Sequence, residues 1–209
     1  MDMMEILIKG GVVMVPILFC SVLSLAIFLE RLIRFSLLRN RGRSVLDRVA
    51  ECLKSGDDEQ AQTIARASDS PLGRVLAQAV EVKGQDRETL ETVIIHATDN
   101  EVRNLGRYLQ TLATIGNITP LLGLLGTVIG MIKAFMVIQE MGGKVNAALL
   151  AGGIWEAMLT TALGLAVALP TMVAHSYLVS RVDQYETRIQ DGAVMFLKTL
   201  AVSNANKMN

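Results

Sequence analysis

Three long apolar runs constrain this chain more than any other feature. Between Leu109 and Ile138 the only charged side chain is Lys133, and between Leu150 and Val179 the only carboxylate is Glu156. A third run, Gly10 to Leu29, holds no charge between Lys9 and Glu30. About twenty apolar residues are what a helix needs to cross a bilayer core about 30 Å thick. Backbone amides in lipid must find partners within their own segment, so such runs fold as helices. Composition agrees: 51% of the 209 residues are hydrophobic, 19% are charged and the mean hydropathy is +0.41. A soluble domain usually has about 25% charged residues. The net charge of +0 removes the basic bias of a nucleic-acid binder. The leader before the first run holds Asp2 and Glu5, and the run ends in "LERLIRF", so it reads as a retained helix and not as a cleaved signal.

Lysine and arginine placement orients the runs. Arg34 to Arg107 supply a dense basic series between the first two, and Arg181, Arg188, Lys198 and Lys207 follow the third. The other side receives only Lys9 and Lys144. The expected layout is an outer N-terminus at 1–9, a first span at 10–32 and an inner helical domain at 33–107. A second span at 108–138, an outer loop at 139–149, a third span at 150–179 and an inner C-terminal helix and tail at 180–209 complete it.

The inner segments read as helices with punctuation. Ser44 is placed to cap "VLDRVAECLK", stopped by Gly56, and Ser70 to cap a helix that has Pro71 at its first position and Gly84 as its stop. Asp86 opens a helix with no breaker before Gly116, so it is expected to continue into the second span. Val182, Tyr185, Ile189, Ala193, Phe196 and Leu200 recur at helical steps and need a partner, within the chain or on another copy. No run alternates with period two, so no sheet is expected. Cys20 and Cys52 lie in such different settings that pairing is not expected, and His96 and His175 are isolated. Metal-ligand spacing, a nucleophile elbow and a phosphate loop are all missing, so no metal, cofactor or enzymatic activity is expected.

The second and third runs share a pattern. Gly116, Thr119, Gly123, Gly126, Thr127, Gly130 and Ala134 fall at steps of three and four, as do Gly153, Ala157, Thr161, Gly164, Ala168 and Thr171. Small residues let membrane helices approach closely, and Gly123, Gly126, Gly130 and Gly164 are read as packing positions. With an outer turn between about 138 and 151, Thr127 and Thr161 both lie roughly 15 Å deep. Two hydroxyls at one depth suit a polar ring in an assembly, although a threonine also satisfies itself on the carbonyl one turn back.

Glu156 facing lipid would cost about 2–3 kcal/mol, so it must face protein or water. It lines an outer mouth or forms an ion pair with Lys133; Thr160, one turn on, shares its face as a further pore or mouth contact. Glu156 is the only carboxylate within the three apolar runs and lies near one end. A continuous proton path would then take its titrating group from another protein.

The stretches "ATIGNITPLLGLLGTVIGMIKAF" (113–135) and "GGIWEAMLTTALGLAVALP" (152–170) resemble the two signature spans of the MotA/TolQ/ExbB proton-channel family. "GGVVMVPILFCSVLSLAIFLERL" (10–32) is similar to the first span of its ExbB-type members. The joint patterns GLLGTVxG and EAxxxTAxGL are specific, and the resemblance covers nearly the whole chain. The 33–107 insert matches mainly in size and helicity.

The resemblance implies an all-α polytopic protein of the bacterial inner membrane, with a periplasmic N-terminus and a cytoplasmic C-terminus. Its second and third spans would extend into a cytoplasmic helical bundle. It implies a pentamer around a central pore holding two copies of a single-span partner of the ExbD, TolR or MotB type. The partner's membrane aspartate carries protons, and the motion passes to a TonB-like or TolA-like protein. By motif position Thr127 and Thr161 are then the pore-lining threonines, and Glu156 is the family's glutamate of the third span. Thr160 and Lys133 match no fixed family residue. Three spans in 209 residues favour the ExbB or TolQ branch over the flagellar one, and the first span favours ExbB. A gliding-type subunit and a non-conducting membrane scaffold remain as the other readings.

Overall fold

The computed structural model of the chain describes residues 11–38, 42–141 and 147–208. The N-terminal segment 1–9, Arg39, Arg41 and, within the expected 139–149 loop, Lys144 lie outside the described residues. Every described element is an α-helix: α1 (Met14–Leu38), α2 (Gly42–Ser55), α3 (Asp58–Arg66), α4 (Pro71–Glu81), α5 (Arg87–Leu105), α6 (Leu109–Glu140) and α7 (Ala147–Met208). Three stretches, Met14–Leu38, Leu109–Glu140 and Ala151–Val202, are long and apolar enough to cross a membrane. The chain divides into two compact units, Met1–Glu30 with Tyr108–Tyr177 and Arg31–Arg107 with Leu178–Asn209.

In the second unit, local chemistry sets most helix ends. Gly56, at φ 80°, closes α2. Asp57 caps α3 by accepting the Gln60 amide at 3.0 Å. Ser70 caps α4 by accepting the Gly73 amide at 3.0 Å, with Pro71 at the first helical position. Asp86 caps α5 through the Thr89 amide at 2.9 Å, and those hydrogen bonds hold its carboxyl below the ordinary aspartate value.

Three sequence expectations need correction. α2 begins at Gly42, so Ser44 sits in its first turn and does not cap it; first-turn amides have no intrahelical acceptor, so a serine there costs little. α4 ends at Glu81, three residues before Gly84. The helix from Asp86 does not run on into the second span: α5 ends at Leu105, Gly106 follows as its cap, and Tyr108 takes a left-handed φ of 68°. The fully buried Arg31 supplies a reason, because its guanidinium donates to the carbonyls of Asn104 at 3.3 Å and Leu105 at 3.4 Å. A break leaves those carbonyls without their helical amides, and a cationic donor at a helix C-terminus satisfies them.

The core of this unit is leucine- and valine-rich. Val49, Leu53, Val75, Leu76, Ile94 and Ala97 are buried. Val182, Ile189, Ala193, Phe196 and Leu200 of α7 are buried too, so that face finds its partner within the chain. Gly192 makes room for α4, since a Cβ there would come 2.6 Å from Leu72 Cδ1. Tyr185 stacks on Phe35 at 5.6 Å between ring centroids and donates its hydroxyl to the Phe35 carbonyl at 3.1 Å. Arg74 forks onto the buried Glu101 at 2.8 and 2.5 Å, and that bond raises the guanidinium's pKa. Burying one side chain such as Phe196 contributes about 1.5–3 kcal/mol.

Candidate functional site

The first unit is organised by close approach of α6 and α7, and glycine makes that approach possible. A Cβ on Gly123 would lie 3.0 Å from Thr161 Cα, one on Gly126 2.7 Å from Thr160 Cβ, and one on Gly130 2.9 Å from Ala157 Cβ. From the other helix, a Cβ on Gly164 would lie 2.9 Å from the Thr119 carbonyl oxygen, and one on Gly153 2.8 Å from Ala134 Cβ. These contacts run along the whole hairpin and bury Gly116, Thr119, Gly123, Gly126, Gly130 and Ala134 on α6. On α7 they bury Ala157, Thr160, Ala168 and Thr171. The seam is backbone against backbone, as association in lipid requires.

The facing pairs, Gly126 with Thr160 and Gly130 with Ala157, fix the levels of the two threonines. Residue 127 is then level with about residue 159 or 160, within about 3 Å of rise of Thr161. Their side chains differ in setting from the rest of the seam. Thr119, Thr160 and Thr171 are buried and donate one turn back, to Ile115, Ala157 and Val167 carbonyls at 2.6, 2.7 and 2.7 Å. Thr127 and Thr161 are only half-buried. Thr127 donates to the Leu124 carbonyl at 2.6 Å, whereas Thr161 donates across the hairpin to the Gly123 carbonyl at 2.9 Å.

Thr160 belongs to the seam, not to a mouth or open face: it is 2% exposed and wedged against Gly126. The sequence stripe on α7 listed Thr161 and omitted Thr160, because a three- and four-residue step from Ala157 reaches both. The Gly123 carbonyl was also invisible to a reading of side chains. In α6 it takes the Thr127 amide by ordinary helical geometry. Its second lone pair takes the Thr161 hydroxyl, so one backbone oxygen joins the two threonines at one edge of the hairpin.

Toward the C-terminal end of α6 and the N-terminal end of α7, Lys133 Nζ and Glu156 Oε1 approach to 3.9 Å, with the lysine side chain 56% and the carboxylate 33% exposed. Of the two readings of Glu156, the pairing with Lys133 is present as a loose contact whose carboxylate keeps an open side. Gly11 joins it. Its φ is 67°, and a Cβ there would fall 2.9 Å from Glu156 Oε1 and 3.7 Å from Lys133 Nζ. No sequence signal marked this approach, since Gly11 sits in an apolar run far from Glu156 in the chain.

Comparison with known proteins addresses the same segments. The model of the MotA/TolQ/ExbB proton channel family matches residues 67–191, which include α5, α6 and most of α7. The biopolymer transport protein ExbB-like 3 of Synechocystis is 31% identical over 166 residues, covering 78% of this chain and 79% of the relative. The biopolymer transport protein ExbB of Salmonella typhimurium is 29% identical over 193 residues, covering 88% of this chain and 79% of the relative. The Tol-Pal system protein TolQ of Haemophilus influenzae is 37% identical over a shorter 91 residues, covering 43% of this chain and 39% of the relative.

Proposed function

This chain belongs to the MotA/TolQ/ExbB proton channel family, and we propose that it is the channel-forming subunit of an ExbB-type inner-membrane motor. In this reading the proton motive force drives TonB-dependent transport at the outer membrane, through an ExbD-like single-span partner. The observation that carries it is the contrast along the hairpin. Thr119, Thr160 and Thr171 are sealed into the seam, while Thr127 and Thr161 keep part of their surface at a shared level deep in the spans. An edge of that kind offers two hydroxyl oxygens to something outside the chain. Neither α6 nor α7 has a carboxylate near that level, since Glu156 lies five residues before Thr161, so the titrating group comes from the partner.

The pentamer, the two partner copies, the periplasmic N-terminus and the cytoplasmic C-terminus belong to this same proposal. They are supported by the family and by the Lys and Arg asymmetry. Glu156 with Lys133 then stands at the outer mouth, where a partly exposed carboxylate attracts cations. A TolQ-type role in envelope integrity is the second reading, favoured by the 37% identical segment of the Haemophilus protein.

Gentle solubilisation of native membranes, capture of this chain and mass spectrometry of what accompanies it test the proposal. A single-span protein with one aspartate in its span is the expected companion, and its neighbouring domains separate the ExbB from the TolQ role. Recovery of this chain alone across several detergents would move the hairpin to a structural scaffold.

A further inference from the structure

A cavity of about 520 Å³ opens in the second unit, between the α4–α5 junction and the far part of α7. Lys83 and Arg87 line it from the junction and Lys198 from α7, around an apolar floor that includes Leu90, Val194 and Leu200. Leu90 and Leu200 are buried beneath it, whereas Val194 is 50% exposed. No carboxylate and no aromatic ring is among its lining residues. Small-ligand sites run to about 300–1,000 Å³, mostly apolar with a few placed polar groups.

The three cations differ in how much of their charge is already answered. Lys83 pairs with Asp58. Arg87 gives only its Nε to Glu91, at 2.7 Å, and its terminal amino groups stay open on a side chain 87% exposed. Lys198 is exposed and makes no ion pair among the described residues. The neighbouring Asp86 spends its carboxylate on the Thr89 amide and hydroxyl at 2.9 and 2.8 Å. Arg87 and Lys198 therefore hold donors for an anion above apolar surface. Position decides where that anion comes from. Val194 lies fifteen positions past Val179, the end of the third apolar run, about 22 Å along α7. Headgroups reach only about 5–8 Å beyond the hydrocarbon core, so a bilayer lipid does not reach the cavity.

We propose that this cavity binds a soluble amphipathic organic anion, a carboxylate or phosphate monoester with an aliphatic body. The head group takes charge-assisted hydrogen bonds from Lys198 and Arg87. The body covers Val194 and the floor of Leu90 and Leu200, removing apolar surface from water. With no ring to stack on, the cavity gives a nucleotide base no platform. A ligand seated there ties the α4–α5 junction to the far turns of α7 and stabilises the second unit by mass action. The proposal goes beyond the channel reading and stands without it, since every group it uses lies in the second unit.

The test uses the full chain, purified with whatever accompanies it and held in lipid nanodiscs, with empty nanodiscs as the background. Hexyl phosphate and hexanoate are the probes, and saturation-transfer NMR titrations read their binding. At least one is expected to bind saturably, which also tells the preferred head group. Lys198→Glu and Arg87→Glu are each expected to weaken that probe about tenfold or more, the loss of one charge-assisted bond. Both side chains are exposed, so the variants keep the fold, which circular dichroism checks. Arg188→Glu makes the same charge change at an exposed α7 residue outside the lining, and is expected to leave binding unchanged. Inorganic phosphate, which leaves the apolar floor uncovered, is expected to bind at least about tenfold more weakly than hexyl phosphate. Three results would each overturn the proposal: no saturable binding of either probe, equal loss in Arg188→Glu, or inorganic phosphate binding as tightly as the better probe.

Discussion

The two units of this chain are both helical, and the α6–α7 seam of the first packs by a different rule from the core of the second. In the second unit the buried faces are large: Leu72, Val75, Leu76 and Val80 on α4, and Leu178, Val182, Ile189 and Phe196 on α7. In the first unit Met14, Ile17, Leu112 and Ile115 are buried too, but the long α6–α7 seam is small: Gly123, Gly126 and Gly130 on α6, and Ala157, Thr160 and Ala168 on α7. One helix, α7, changes rule along its own length, near residue 177. The difference follows from solvent. Water drives large apolar groups together, whereas lipid is as apolar as leucine and leaves association to close van der Waals contact and interhelical hydrogen bonds. Exposed Leu121, Leu124, Val128 and Phe135 on α6 fit the second regime, where apolar surface faces outward without penalty.

Substitutions can break this comparison, and the largest effects belong to the water-packed unit. Phe196→Ala and Leu76→Ala remove fully buried side chains and are expected to cost about 3–5 and 2–5 kcal/mol respectively, read from chemical denaturation of the solubilised protein. The same truncation at Leu121, 62% exposed in the first unit, is expected to stay within about 0.5 kcal/mol. Equal losses at Leu121 and Leu76 would abolish the distinction.

In the first unit the sensitive positions are the ones with no side chain. Gly126→Ala puts a methyl 2.7 Å from Thr160 Cβ, and is expected to destabilise by about 1–3 kcal/mol through overpacking. A loose seam would give the opposite sign, since alanine is the better helix former by about 1 kcal/mol. Thermal unfolding of the variant decides between them.

Smaller effects sharpen the account of helix ends in the second unit. Ser70→Ala removes a cap from α4, and a loss of about 1 kcal/mol is expected in the same denaturation assay. Asp86 caps α5 from a fully exposed position with its pKa lowered by the Thr89 bonds. A depressed folded-state pKa stabilises above the ordinary aspartate value and loses that contribution as pH falls through the folded value. The thermal midpoints of the unmodified chain and of Asp86→Ala should therefore differ at neutral pH and converge in strong acid. A gap that persists unchanged in acid would show that the ionised cap is not its source.

Much of this was legible in the residues. The three apolar runs, the caps at Ser70 and Asp86, the Gly56 stop and the small-residue stripe all rest on local chemistry that a sequence displays. The misses rest on tertiary contacts. Nothing in "LGRYLQ" announces that Tyr108 goes left-handed, because the reason involves Arg31, far back in the chain, on the carbonyls of Asn104 and Leu105. α3 was missed although Asp57 and Gln60 stand at capping distance, since nine residues with few apolar groups make a weak periodic signal. Thr160 and Thr161 are adjacent, and only the rotation of α7 decides which is sealed and which reaches Gly123. The approach of Gly11 to Glu156 depends on how α1 enters the unit, which no spacing encodes.

The central claim is that this hairpin supplies the face of a proton path and another chain supplies the titrating group. Proton flux into vesicles reconstituted with the chain alone, and with the chain plus its single-span partner, tests that directly. The account predicts little collapse of a pH gradient by the chain alone and substantial flux with the partner, abolished by Thr161→Val. Substantial collapse by the chain alone would contradict it.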